Sequence, residues 1–208
     1  MAKQHSYEND KIRVSFDGNI CAHAGFCFTQ LHDVFDGDRD PPIDLTGGTT
    51  EEVIRVVEGC PSSALVYERL DGADNEVPDE TATATLYPNA PLVLKGKLQL
   101  GDKQYARLTL CRCGKSSNKP FCDGAHKAAE WDDGANTSTE DLSGEARKGD
   151  LTLVPIENGP VRFKGYLMVQ SADGEKICER ESGALCRCGA SKIKPFCDGS
   201  HREIDFKA

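Results

Sequence analysis

The stretch CRCGKSSNKPFCDGAH, residues 111–126, returns 75 positions later as CRCGASKIKPFCDGSH, residues 186–201. Each copy reads C-x-C-x8-C-x3-H: Cys111, Cys113, Cys122 and His126 in the first, Cys186, Cys188, Cys197 and His201 in the second. Three thiolates and one imidazole complete a four-ligand set for either zinc or an iron-sulfur cluster. In extended chain, C-x-C directs both side chains to one side, within reach of one metal. The Asp-Gly pair behind the third cysteine predicts a turn that opens a helix, with Asp123 or Asp198 as its cap. On such a helix cysteine and histidine at i and i+4 share a face. The site then lies near a helix N-terminus, which favours an anion.

The repetition reaches beyond the motif. NAPLVLKGKLQL at 89–100 answers NGPVRFKGYLMV at 158–169, and an aromatic follows the histidine at one distance in both copies, Trp131 and Phe206. The offset is 69 upstream and 75 in the motif, so the second copy carries six extra residues, most simply in the polar turn SADGEK of a hairpin. Alternating Ala106, Leu108 and Leu110 lead into Cys111 as a strand. The polar stretch 132–150 reads as a flexible connection between the copies.

Ahead of the repeat lies a different segment. Ile12, Val14 and Phe16 alternate as in a short strand. In TTEEVIRVVEGC, Thr49 and Glu52 have capping-box spacing, Val53, Ile54, Val56 and Val57 supply an apolar face, and Gly59 ends the helix beside Cys60. FDGDRDPPIDLTGG between them reads as an acidic surface loop. Cys21 and Cys27 in CAHAGFC, with Cys60 in CPSSAL, give C-x5-C followed by a C-P pair that often closes a bacterial ferredoxin cluster site. A cubane ferredoxin places a further cysteine at position 24; this chain has Ala24. Three thiolates with an unfilled fourth position suit a [3Fe-4S] cluster; His23 or a solvent-derived ligand completing a [4Fe-4S] cluster is the alternative.

Composition bounds the rest. With 38% hydrophobic and 28% charged residues in 208, the chain reads as globular. No apolar run approaches the roughly 18 residues that cross a bilayer, and MAKQHSYENDKIR shows no secretion signal, so the expected location is the cytoplasm. There, clustered Cys and His hold metal more often than disulfides. Cys178 stands outside the three groups and reads as a small buried residue. Residues 1–80 carry 6 Lys+Arg against 17 Asp+Glu, net −11, which argues against nucleic acid and suits either a basic patch on a partner protein or solubility alone. No nucleophile triad, phosphate loop or flavin fingerprint is legible, so no enzyme activity is expected. Arg112, Lys115, Lys119, Arg187, Lys192 and Lys194 inside the motifs read either as screening charge for an anionic cluster or as plain solvated cations.

Both motifs closely resemble the CDGSH iron-sulfur family (mitoNEET-like), C-x-C-x2-[ST]-x3-P-x-C-D-G-[STA]-H, here with Ser116 and Pro120, then Ser191 and Pro195. The resemblance implies a [2Fe-2S] cluster on each 3Cys:1His set, and two β-rich units packed about a twofold axis, written here in one polypeptide. The first copy departs from the family name at Ala125, which implies a lost hydroxyl hydrogen bond and a shifted potential. The front segment resembles single-cluster ferredoxins and the divergent 4Fe-4S mono-cluster domain. The resulting expectation is an α+β chain: a ferredoxin-like domain over 1–72, a linker over 73–80, CDGSH-type units over 81–131 and 151–208, and a linker over 132–150. Its expected function is electron transfer through two [2Fe-2S] clusters and one [3Fe-4S] cluster, as a monomer serving a redox partner protein, with no membrane contact. The alternatives are a cluster carrier or redox and pH sensor that releases [2Fe-2S] through its His ligands to an apo-acceptor, and a structural metal module.

Overall fold

The computed structural model describes residues 4–134 and 147–208. The chain divides into two compact units, Met1–Val77 and Pro78–Ala208. Most of the regular secondary structure is strand, with a few short helices. No described helix is long and apolar enough to cross a membrane.

In the first unit, β1 (Gln4–Glu8), β2 (Ile12–Asp17) and β3 (Leu65–Arg69) form an antiparallel sheet in that order. Ile12 and Val14 point into the core, where Val53, Val56 and Val57 of the helix α2 (Thr50–Glu58) meet them. A short helix, α1 (Phe26–Gln30), precedes α2 in the chain. The capping box of α2 forms in both directions: Glu52 N–H donates to Thr49 Oγ1 at 3.3 Å, and Thr49 N–H to Glu52 Oε2 at 2.9 Å. Gly59 ends α2 with a right-handed φ of −74°, so left-handed freedom is not what selects it. A Cβ there would lie 2.1 Å from the Phe26 ring, so glycine is needed for α1 to approach the end of α2. The stretch expected as a surface loop is anchored: Phe35 and Ile43 form a β-bridge and, with Leu45, lie in the core.

The second unit is one six-stranded sheet. Its strands are β4 (Thr83–Leu86), β5 (Leu92–Leu100), β6 (Lys103–Leu110), β7 (Leu151–Pro155), β8 (Val161–Ser171) and β9 (Lys176–Leu185). β4, β5 and β6 pair antiparallel among themselves, as do β7, β8 and β9. The first strand of each set also pairs in parallel with the second strand of the other, β4 with β8 and β7 with β5. Gly96 and Gly165, at φ 130° and 113°, sit where the register shifts in β5 and β8. A Cβ at Gly96 would lie 2.8 Å from Ala82 Cα, and one at Gly165 2.2 Å from the Asp150 carbonyl oxygen.

The six extra residues are spread along the second hairpin. β8 exceeds β5 by two residues and β9 exceeds β6 by two, and the turn between them is longer by two, so only a third of the insertion lies in the turn. Cys178 on β9 is fully buried among Leu94, Leu167 and Val169 of the shared core. Of the connection expected over 132–150, residues 135–146 lie outside the described residues.

Candidate metal centres

Each motif starts where a long hairpin strand, β6 or β9, ends. The chain leaves the sheet through C-x-C, loops out, and returns through an isolated bridge, Leu110 with Phe121 and Leu185 with Phe196. Backbone bonds close the return: Cys111 N–H donates to the Pro120 carbonyl at 2.8 Å and Cys122 N–H to the Thr109 carbonyl at 2.9 Å. The second copy repeats them, Cys186 to Pro195 at 2.7 Å and Cys197 to Ala184 at 2.8 Å. Buried Ser116 and Ser191 pin the loops by donating to the carbonyls of Phe121 and Phe196 at 2.7 and 2.6 Å. These bonds bring the third cysteine beside the first two.

The helix expected behind the third cysteine is shorter than an Asp cap implies. In the first copy it is four residues, α3 (Ala125–Ala128); in the second it is a 3-10 turn, Ser200–Arg202. The caps are Gly124 and Gly199 in the left-handed conformation. Asp123 and Asp198 stand one residue earlier and brace the loop instead, accepting from Ser117 N–H and from Lys192 N–H, both at 2.8 Å. A single turn has little macrodipole. Individual amides face the sulfurs instead: Gly124 N–H lies 3.3 Å from Cys122 Sγ and Lys115 N–H 3.4 Å from Cys113 Sγ. The Ser200 hydroxyl that Ala125 lacks donates to Asp198 at 2.6 Å, not to a sulfur. In the first copy Ser117 Oγ donates to Asp123 Oδ2 instead, at 2.8 Å.

The donors come in pairs. Cys111 and Cys113 Sγ are 3.8 Å apart, as are Cys186 and Cys188 Sγ. Cys122 Sγ lies 3.5 Å from His126 Nδ1, and Cys197 Sγ 3.4 Å from His201 Nδ1. With metal–sulfur bonds of about 2.3 Å and metal–nitrogen bonds of about 2.0 Å, two vertices of one tetrahedron lie about 3.8 Å apart for sulfur pairs and about 3.5 Å for sulfur with nitrogen. Each pair thus has the spacing of two ligands on one tetrahedral metal. The four donors of each motif thus fall into two such pairs, a spacing that fits a two-metal core.

The thiols are poised unequally. The Cys113 thiol and nearby backbone amides bring Cys111 down to about 6, while the hydrogen bond with Cys111 and burial push Cys113 up. The second copy repeats this, with Cys186 at about 6 and Cys188 raised. Burial lifts Cys122 to about 11 and lowers His126, which keeps the imidazole neutral, as a metal ligand must be. Metal entry must displace the remaining thiol protons. Arg112 and Arg187, at 3% and 4% exposure, are buried, and so is Lys194; the solvated reading fails for these three. Lys115 and Lys192 are exposed.

The two motifs touch. A Cβ at Gly114 would lie 2.5 Å from the Cys188 carbonyl oxygen, and one at Gly189 2.8 Å from the Cys113 carbonyl oxygen. Both glycines have left-handed φ, 78° and 84°.

In the first unit Cys21, Cys27 and Cys60 line one pocket of about 170 Å³, with Phe16, Phe28 and Leu65 among its walls. Cys21 follows β2, Cys27 lies on α1, and Cys60 follows the end of α2, where its N–H donates to the Val57 carbonyl at 3.0 Å. Burial raises Cys21 and Cys27. Ala24 and His23 line the same pocket, and His23 is exposed at a φ of 50°. Three thiols around one pocket fit a cluster held by three cysteines. Ser62, 2% exposed, lies 3.7 Å from Cys60 Sγ; nothing in the sequence marks it as a neighbour of the site.

Residues 7–70 match the profile of the family described as divergent 4Fe-4S mono-cluster. Residues 89–127 and 158–202 each match the family described as iron-binding zinc finger, CDGSH type. Among curated proteins, YjdI of Escherichia coli strain K12 is 36% identical over 61 residues, which cover 29% of this chain and 80% of that protein. Its counterpart in Escherichia coli O157:H7 matches to the same extent.

Proposed function

The chain belongs to the CDGSH-type iron-binding family, with a divergent 4Fe-4S mono-cluster domain ahead of its two motifs, and on that premise we propose that it is a multi-cluster electron-transfer protein. It holds one [2Fe-2S] cluster on Cys111, Cys113, Cys122 and His126, a second on Cys186, Cys188, Cys197 and His201, and a [3Fe-4S] cluster on Cys21, Cys27 and Cys60. The carrying observation is the donor spacing, two ligands per tetrahedral metal, found twice in each motif. Bound clusters supply one-electron valence changes in which no ligand bond breaks.

The chain's own residues support that role. Cys111 and Cys113, at the end of β6, would hold a cluster from one side, and Cys122 and His126 from the other. Imidazole in place of a fourth thiolate leaves one negative charge fewer, which favours electron uptake. With Nδ1 facing Cys122, Nε2 remains to take a proton as the electron arrives. Ala24 on the wall of the front pocket supports three-cysteine ligation there. The reciprocal pairing of β4 with β8 and β7 with β5 supports two motif units related by a pseudo-twofold within one chain, hence a monomer. The reading assigns no substrate turnover, a cytoplasmic location and a redox protein as partner.

One observation favours cluster delivery as a second role. In the first motif His126 is half-buried while Cys111, Cys113 and Cys122 are buried; in the second, His201 shares its half-buried state with Cys188 and Cys197. Protonation of His126 would loosen the outermost ligand of the first motif.

Iron, acid-labile sulfide and EPR spectra of anaerobically isolated protein test the primary reading. About seven iron and eight sulfide per chain are expected, and about eight iron if the front cluster is a cubane. A colourless protein with stoichiometric zinc overturns it. For delivery, His126→Cys and His201→Cys should extend cluster lifetime at acid pH; an unchanged lifetime removes that role.

A further inference from the structure

Besides its three cysteines, the front pocket has two polar side chains in its lining, His23 and Ser62. His23 is exposed, whereas Ser62 is only 2% exposed. The backbone on both sides of Ser62 holds it there. Cys60 N–H donates to the Val57 carbonyl at the end of α2, at 3.0 Å, and the Ala64 carbonyl accepts from Asp17 N–H at 2.8 Å just before β3 begins. Between these anchors Ser63, also buried, takes a left-handed φ of 52°. A residue other than glycine keeps that conformation only where its surroundings impose it. The short segment from helix end to strand start is therefore fixed, and Ser62 with it.

The Ser62 hydroxyl has one hydrogen-bond partner among the described residues, Cys60 Sγ at 3.7 Å. That separation is long for two oxygens but within reach of the larger sulfur atom. A buried hydroxyl is costly to leave unpaired, and Phe16, Phe28 and Leu65 on the same walls offer it nothing else. As a thiol, Cys60 could give or accept the bond. As a cluster ligand it is a thiolate with no proton to give, so the hydroxyl must be the donor. Ligation of a further iron by Ser62 fits the geometry less well. Each iron of a trinuclear or cubane core takes one protein ligand, and an oxygen and a sulfur this close do not serve two different irons.

We propose that the Ser62 hydroxyl donates to the Cys60 thiolate and so raises the reduction potential of the front cluster. This rests on the electron-transfer reading above. Uptake of one electron turns one ferric ion ferrous and adds negative charge that the ligating sulfurs share. A donor on sulfur offsets that charge and is bound more tightly in the reduced state, which shifts the equilibrium toward reduction. Apolar walls strengthen the effect, because a hydrogen bond counts for more where the local dielectric is low. Ser62 thus acts through Cys60, as a positioning residue.

The test is a mediated dithionite titration of the loaded, full-length protein followed by EPR, with Cys27→Ala identifying the front signal by its loss. Ser62→Ala should lower the front potential: at a fixed potential its reduced-to-oxidised ratio should fall about tenfold, which is about 59 mV for one electron. Iron and sulfide counts should stay as in the wild type, and the centres on Cys111 to His126 and Cys186 to His201 should keep their potentials. Ser62→Thr should hold the potential near the wild-type value and Ser62→Val should not, although the two side chains have one shape; a packing role alone predicts no such difference. That pair also decides the matter should Ser62→Ala fail to load. A front potential unmoved in Ser62→Ala, or equal in the Thr and Val variants, overturns the proposal and leaves the electron-transfer reading intact. Loss of one iron in Ser62→Ala would make Ser62 a ligand and overturns it as well. A wild-type sample without sulfide or visible absorption overturns the electron-transfer reading itself.

Discussion

Gly114 and Gly101 both hold left-handed backbone, at φ 78° and 60°, but they differ in what surrounds them. A side chain at Gly101 meets open space, so Gly101→Ala bears only the left-handed strain, about 1 kcal/mol. At Gly114 the same methyl would press into the Cys188 carbonyl, which belongs to the other motif and cannot rotate away. Gly114→Ala should therefore lose at least about 2 kcal/mol by urea titration of loaded protein. It should also weaken retention of both motif centres, not only its own. Equal losses for the two variants, or bleaching confined to the first-motif centre, would refute the close contact between the loops. That these donors come together was readable in the sequence, because a metal site demands fixed spacing and C-x-C-x8-C-x3-H has it. The partners of those ligands were not. That Arg112 is buried on Trp131 and paired with Asp133 depends on tertiary folding, which no local pattern records.

At the scale of elements, α2 was the most legible, since its start is encoded twice, by Thr49 as cap and by Glu52 answering it. Thr49→Ala should cost about 1 kcal/mol of stability at neutral pH. The pH dependence has a definite sign. Hydrogen bonds from Thr49 N–H and its hydroxyl hold the Glu52 carboxyl below its ordinary range. A group lowered by folding contributes fully above its unfolded value, about 4.3, and loses that contribution as pH falls through the folded one. The gap between wild type and Thr49→Ala should thus narrow below about pH 4.3, as measured by urea unfolding at pH 7 and pH 3.5. A gap that widens in acid contradicts the capping box. Other elements left weaker traces. β1, QHSYE, is polar and largely exposed, so no alternation marks it. α1 spans five residues and begins at a left-handed Gly25 with no side-chain cap. The Asp-Gly pairs pointed to the right turn but the wrong cap, because glycine takes the cap position in the left-handed conformation and frees aspartate to brace the loop. The parallel pairings of β4 with β8 and β7 with β5 join segments far apart in the chain, where register is set by packing.

Over the whole molecule, charge is divided as the compact units are. Residues 1–77 hold 6 Lys+Arg against 15 Asp+Glu, while residues 78–208 hold 19 of each, so the first unit carries the entire net charge of −9. An acidic unit attracts basic proteins at long range, and a neutral unit has no comparable pull. Steering of this kind raises association rates by about 10- to 1000-fold at low ionic strength and fades as the Debye length shrinks to about 3 Å at 1 M salt. Electron exchange between the loaded protein and a basic c-type cytochrome, followed by stopped-flow absorbance, should therefore slow at least about tenfold from 0.01 to 0.5 M salt. Exchange with an acidic flavin protein should instead speed up, because salt relieves its repulsion from the same surface. Replacing Asp36, Asp38 and Asp40 with Asn lowers the unit's charge by a third without touching a cysteine, and should flatten both dependences together. A cytochrome rate indifferent to salt would mean that the acidity serves solubility alone and that partners reach the chain through its neutral unit.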